Sequence, residues 1–451
     1  LLAIGNGRQR LYPDHSDEQN RKHTQEPMPV RTLTRLFNLV LRGATLASKF
    51  LLIFFLARFL EPAELGLYGL LAATIGYALY LLGLDFYTYT TRELLKRDRE
   101  EWGELLKDQG ALTLVLYVLF VPLLSLVFAT GTLPWPVAGW FFGLIVLEHL
   151  NQELMRLLIA ISRPVLANVV LFLRQGAWAV IATALMFFEP ETRNLETVLL
   201  AWTLGGLAAL LLAAGRLCQL RIGGWRKRVD WSWIRQGVKV AVPMLVATLA
   251  IRGVFTLDRY WLEALSGLEV LGAYVLFMGI GNAMMSFLDA GVFAFLYPGL
   301  ISAFQKGDAD AFRQGVKRFF IQTTVFSLCF ALVALVLIDP LLSWLDKPLY
   351  REQQGMFPWI LLAIFLYALG MIPHYALYAQ GRDRPLIHSH IASLVVFIPA
   401  TWLFSIHWPH LAVPLGLSVA FFLILVWKTT AYFRLTPVQY RHCCPETQAS
   451  T

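Results

Sequence analysis

Charge is scarce in this chain: of its 451 residues only 15% are Asp, Glu, Lys or Arg. Soluble domains carry about 25%, so an ordinary water-soluble enzyme is excluded. Cysteine is scarce too, with four residues. Cys218 and Cys329 stand alone and Cys443 adjoins Cys444, which yields neither a disulfide framework nor a zinc-ligand spacing. The adjacent pair is read as part of a plain tail rather than as a lipidation or metal site. A Walker-type phosphate loop, a Gly-rich dinucleotide fingerprint, a serine elbow and a zinc-binding helix are all missing. ATP hydrolysis, a cofactor and a resident metal are therefore not expected.

Apolar surface is what the chain has in abundance, with 57% hydrophobic residues and a mean hydropathy of +0.58. The fold class that follows is an all-α polytopic membrane protein. Windows of about 19–20 residues yield twelve expected spans, near 34–60, 65–90, 109–129, 136–160, 165–188, 196–216, 239–262, 268–298, 318–338, 358–380, 388–406 and 411–433. The net charge of +8 reads as topology rather than nucleic-acid binding, because basic residues gather in alternate loops. Arg92, Lys96, Arg97, Arg226, Lys227, Arg228, Lys306, Arg384, Lys428 and Arg434 fall on one side. Acids such as Glu61, Glu64, Glu189 and Glu191 predominate on the other. The positive-inside rule then places both termini in the cytoplasm.

The basic stretch 217–238 divides the spans into a six-helix lobe at 28–216 and another at 239–435. It is read as a cytoplasmic linker, and 436–451 as a cytoplasmic tail. Residues 1–27 are polar and have no apolar segment. They are expected to be a disordered or non-native extension, with Met28 the natural start. The lobes echo each other. Gly66 and Tyr68 recur as Gly272 and Tyr274, an offset of 206 (272 − 66), and Arg163-Pro164 recurs as Arg384-Pro385. Six spans per lobe make the repeat parallel, which predicts a central cavity between the lobes.

Charges inside spans carry the functional argument, since a basic residue at the centre of a membrane helix costs roughly 2.5–3.5 kcal/mol. Asn38, Arg42, Thr45 and Lys49 share one helix face. Thr248, Arg252, Thr256, Arg259 and Glu263 share one in the second lobe. Arg42, Lys49, Arg252 and Arg259, with Arg174, are the candidate substrate-binding cations, suited to a diphosphate or acidic sugars. Competing readings are interfacial snorkelling for Arg42 and a structural ion pair with Asp258 for Arg259. Glu148, His149 and Glu153 are candidates for ion coupling, against a buried polar network that holds the fourth span to its neighbours. Asp85 and Asp289, near span ends, are candidate gating residues. His374, His388 and His390 have no carboxylate partner and are not read as a metal site.

The run Leu56-Ala57-Arg58-Phe59-Leu60-Glu61-Pro62-Ala63-Glu64-Leu65-Gly66-Leu67-Tyr68, with Asp258-Arg259-Tyr260-Trp261-Leu262, Gly272 and Tyr274, resembles the polysaccharide-biosynthesis flippases. These belong to the multidrug/oligosaccharidyl-lipid/polysaccharide exporter superfamily. The resemblance extends from Met28 to about Leu435. It implies a V-shaped cavity between the lobes of a bacterial inner-membrane protein. It also implies translocation of an undecaprenyl-diphosphate-linked oligosaccharide, an O-antigen or exopolysaccharide repeat unit, with a polymerase and glycosyltransferases as partners. The alternatives are a multidrug or cation antiporter of the same superfamily, for which an acidic cavity is expected, and a membrane-embedded glycosyl- or acyltransferase.

Overall fold

The computed structural model describes residues 28–220 and 222–441. The expectations for residues 1–27 and for Cys443 and Cys444 lie outside the described residues.

The chain is helical and crosses the membrane many times. The first half contributes α1 (Met28–Phe59), α2 (Pro62–Gly83), α3 (Trp102–Leu124), α4 (Ala138–Ala160), α5 (Pro164–Phe188) and α6 (Leu195–Cys218). The second contributes α7 (Trp231–Leu288), α8 (Ala294–Gln305), α9 (Ala309–Leu345), α10 (Phe357–Ala379), α11 (Asp383–Ser405) and α12 (Ala412–Leu435). Several starts are written locally. Pro62 opens α2 behind a Glu61/Glu64 capping box. The side chains of Asn194, Asp230 and Asp308 accept the first free amides of α6, α7 and α9.

Ten helical stretches among the described residues are long and apolar enough to cross a membrane, against twelve expected spans. Two local features account for the difference. α4 forms where the fourth span is expected, but Glu148, His149, Asn151, Gln152 and Glu153 dilute its apolar character. The stretch Trp231–Gln305 runs 75 residues without a loop and takes in the seventh and eighth expected spans. Its break is at Gly267, with φ 83° and ψ 172°, a backbone state open to glycine but strained for other residues. A π turn at Asp289–Phe293 then leads into α8. Helix α7 also begins at Trp231, inside the stretch expected to be linker.

Helix α2 lies along α7, and the contact is reciprocal. A Cβ on Gly66 would stand 2.2 Å from the Leu268 carbonyl oxygen, and one on Gly272 would stand 2.0 Å from that of Pro62. Pro62 precedes Gly66 by the same four residues as Leu268 precedes Gly272, so each glycine meets the repeat counterpart of what the other meets. This is the signature of an isologous, two-fold-like contact. Only hydrogen fits at either glycine, so the two backbones touch directly. Nearby, Lys347 and Arg58 donate to the carbonyls of Leu60 and Trp344, tying the α9–α10 connection to the end of α1. Burial holds the Lys347 ammonium below its ordinary pKa, opposed by Glu61 at 3.7 Å.

Candidate functional site

The polar stripe on α1 forms as its spacing predicts, and its partners come from α5. Arg42 Nε donates to Asn168 Oδ1 at 3.1 Å, and Asn168 Nδ2 donates to Asn38 Oδ1 at 2.7 Å. Lys49 Nζ donates to Gln175 Oε1 at 3.2 Å. Gln175 sits in a π turn, Leu173–Ala177, which shifts the α5 register locally. Arg42 and Lys49 remain exposed, with neutral amides as their hydrogen-bond partners.

The neighbouring residue in that π turn behaves differently. Arg174 is 4% exposed and Glu148 5%. Arg174 Nε and Nη2 bind Glu148 Oε2 at 2.6 and 2.5 Å, while Trp202 Nε1 donates to Oε1 at 2.7 Å. Trp178 donates to the Arg174 carbonyl and its ring stacks on Trp202 at 5.7 Å. Both carboxylate oxygens of Glu148 are thus engaged, and the pair is sealed beneath two indoles. Its charges still act on Lys49.

A second network occupies the junction of α2, α3 and α4. Arg156 Nη1 binds Glu153 Oε1 at 2.6 Å, and its Nη2 stands 3.8 Å from Asp85 Oδ1. Its guanidinium lies over the Tyr87 ring at 3.6 Å. Gln109 donates to the other Glu153 oxygen at 2.5 Å. His149 Nδ1 meets the Tyr117 hydroxyl at 2.9 Å, leaving Nε2 buried and without a hydrogen-bond partner. Glu153 and Asp85, far apart in sequence, are joined by one arginine.

In the second half Arg252 is exposed, and its guanidinium lies 5.4 Å from the Tyr80 ring of α2. It therefore reaches from one half towards the other. Asp289, also exposed, begins the π turn after α7 and is subject to the Arg252 charge. Arg259 is held by the acid beside it: its Nη1 binds Asp258 Oδ1 at 2.9 Å and Oδ2 at 3.1 Å. Asp258 is fully buried and also accepts from the Tyr274 hydroxyl at 2.6 Å.

The structure thus separates the ten candidates into exposed groups (Arg42, Lys49, Arg252 and Asp289) and enclosed or partnered ones (Arg174, Glu148, His149, Glu153, Asp85 and Arg259). One residue was misassigned by the charge pattern. Lys428, counted among the loop cations, lies within α12, which continues to Leu435 two turns beyond it, and is fully buried against α10 and α11. A lone lysine with no acid anywhere in Ala412–Leu435 is the signal that marks it.

The profile of the family described as polysaccharide biosynthesis protein matches residues 36–305. A comparison with curated proteins finds no match. Among solved structures the chain is similar to an inward-facing multidrug resistance MATE family transporter of the MOP superfamily. There the TM-score is 0.70 at 12% identity, covering 88% of this chain and 100% of that one. MATE structures in the bent and straight conformations each align at TM-score 0.58, with 13% and 14% identity, over 90% of this chain and 96% of theirs. The fold is the one these MATE transporter structures share. The chain belongs to the polysaccharide biosynthesis protein family.

Proposed function

We propose that this transporter moves a polyprenyl-diphosphate-linked oligosaccharide, an O-antigen or exopolysaccharide repeat unit, from the cytoplasmic to the periplasmic leaflet of a bacterial inner membrane. The observation that carries the reading is the set of exposed cations on α1 and α7. Arg42, Lys49 and Arg252 have no carboxylate within ion-pair distance among the described residues. A diphosphate is the natural counter-ion for such groups, and a substrate that supplies charge only when bound needs them free. In this reading twelve spans form two six-helix lobes, 28–216 and 239–435, joined by the 217–238 linker, with both termini cytoplasmic. The reciprocal Gly66/Gly272 contact supports the two-fold arrangement. The lobes rock about that contact while the lipid tail stays in the bilayer, and Arg174 acts by holding Glu148 rather than by touching substrate.

The second reading is a multidrug or cation antiporter of the same superfamily. The fold likenesses support it more directly than the first, since the solved structures named above are MATE transporters. Exposed Asp289 offers it a carboxylate. One experiment separates the two. Lys49→Ala and Arg252→Ala are expressed at matched levels in cells lacking their own repeat-unit translocase, and surface polymer is measured. Polymer should fall sharply in both. Undiminished polymer would overturn the cationic-site reading, and ethidium resistance that depends on Asp289 would favour the antiporter.

A further inference from the structure

Three nitrogen bases meet in the second half, away from the groups considered so far. Lys428 of α12 places Nζ 3.1 Å from Nδ1 of His374 on α10 and 3.1 Å from Nε2 of His390 on α11. Lys428 is fully buried and His374 is 8% exposed. The two imidazoles lie nearly parallel, 13° apart, with centroids 5.9 Å from each other. Each residue sits five to seven positions inside its helix end, roughly 8–10 Å along the axis at 1.5 Å per residue. Among the described residues no carboxylate forms an ion pair with any of the three. An intramembrane lysine without an acid is costly and points to function.

The donor count defines what this cluster can do. A protonated Lys428 has three N–H donors and serves both imidazoles as acceptors; the neutral amine still has two N–H donors and serves the same two. The two hydrogen bonds to the imidazoles therefore persist with the proton present or absent, and protonation adds the charge and a third N–H beyond those two acceptors. Further protons are opposed, because they would place like charges about 3 Å apart in a low-dielectric bundle. The surroundings leave that charge uncompensated. On α10, Tyr375 stands edge-on to His374 at 5.5 Å, with Tyr378 one turn further along. His388 on α11 is exposed, and Tyr432 follows Lys428 by one turn on α12. From α7, the Ala247 backbone interacts with the His390 ring. Arg252, five residues later, is the nearest cation on that helix in sequence and is directed to Tyr80.

We infer that Lys428, His374 and His390 form a one-proton exchange site in the second half, through which a proton gradient drives or gates transport. Its coupling role rests on the transport reading above; its proton binding does not. The Ala247 contact gives the site a physical route to α7, the helix that carries Arg252.

The test uses the full chain in proteoliposomes on a solid-supported membrane, with an acid step applied and no substrate present. Wild type should give a transient charge displacement that titrates with pH. Lys428→Arg keeps the positive charge but cannot release its proton, so most of the displaced charge should be lost. Displacement equal to wild type at matched reconstitution would overturn the proposal. If Lys428→Arg does not elute as a monodisperse species, His390→Gln takes its place, since the amide oxygen still accepts from Lys428. There the titration midpoint should move, and an unmoved midpoint would overturn the site. A second arm imposes a pH gradient and follows a fluorescent polyprenyl-diphosphate-linked disaccharide. Lys428→Arg should keep gradient-free exchange and lose the stimulation by the gradient. Should wild type not move this probe at all, the flippase reading fails while the electrical result stands on its own.

Discussion

Removing Glu148 exposes the energetics of the first half most directly. In Glu148→Ala, Arg174 keeps its charge at 4% exposure with no counter-ion, and Trp202 Nε1 loses its acceptor. Breaking a buried pair from one side costs about 3–5 kcal/mol. Globular chains unfold with an entropy of about 2.1 cal/mol/K per residue, about 1 kcal/mol/K at this length, so the melting temperature should fall by about 3–5 °C. Unfolding in detergent retains helix, lowers that entropy and enlarges the shift. Intrinsic-fluorescence melting of the purified protein reads it. The diagnostic species is the double variant Glu148→Met/Arg174→Met. Apolar replacement of a whole buried pair is often nearly neutral, so the double variant should recover part of the loss and melt above Glu148→Ala. A residue of about 1–3 kcal/mol should remain from the stranded indole N–H. Additive losses, with the double variant melting below either single, would refute the reasoning: the two groups would then be acting independently.

Four further outcomes test other positions. Gly272→Val and Gly66→Val should abolish monodisperse elution, because each Cβ would meet a carbonyl oxygen at 2.0 or 2.2 Å. Gly43→Ala, with open space around its Cβ, should elute normally and melt up to about 1 kcal/mol more stably. Asp258→Asn should lower stability by about 1.5–3 kcal/mol, since Arg259 and Tyr274 both lose an ionised acceptor; Tyr274→Phe should lose less. Lys347 sets an alkaline signature. With its folded pKa below the ordinary 10.5, the unfolded chain binds more protons between those two values, so stability rises with pH across that window. Lys347→Gln should flatten that rise in melts recorded against pH.

Much of the architecture was legible because it is local. Apolar run length reports membrane spans directly, and periodicity placed Asn38, Arg42, Thr45 and Lys49 on one face of α1. The contact of α2 with α7 was foreshadowed by Gly66 and Gly272, since a glycine repeated at one register in two halves is what a direct backbone crossing needs. Span counting blurred where composition and backbone diverge. The polar residues of α4 weaken a span that is nonetheless helical, and Gly267 bends a helix without leaving a loop.

Pairing was not legible, and the reason is distance along the chain. Periodicity assigns a side chain to a face but not to the helix opposite that face. The sequence by itself determined the class, the alternation of basic loops and the two stripes of intramembrane charge. The tertiary structure alone decided that Arg174 closes on Glu148 across 26 residues while Lys49 takes a neutral amide across 126. It decided that Arg156 joins Asp85 to Glu153, and that Lys428 lies between two histidines. Each of these depends on which helix backs onto which, and that is set by the packing of whole helices rather than by any residue's neighbours in sequence.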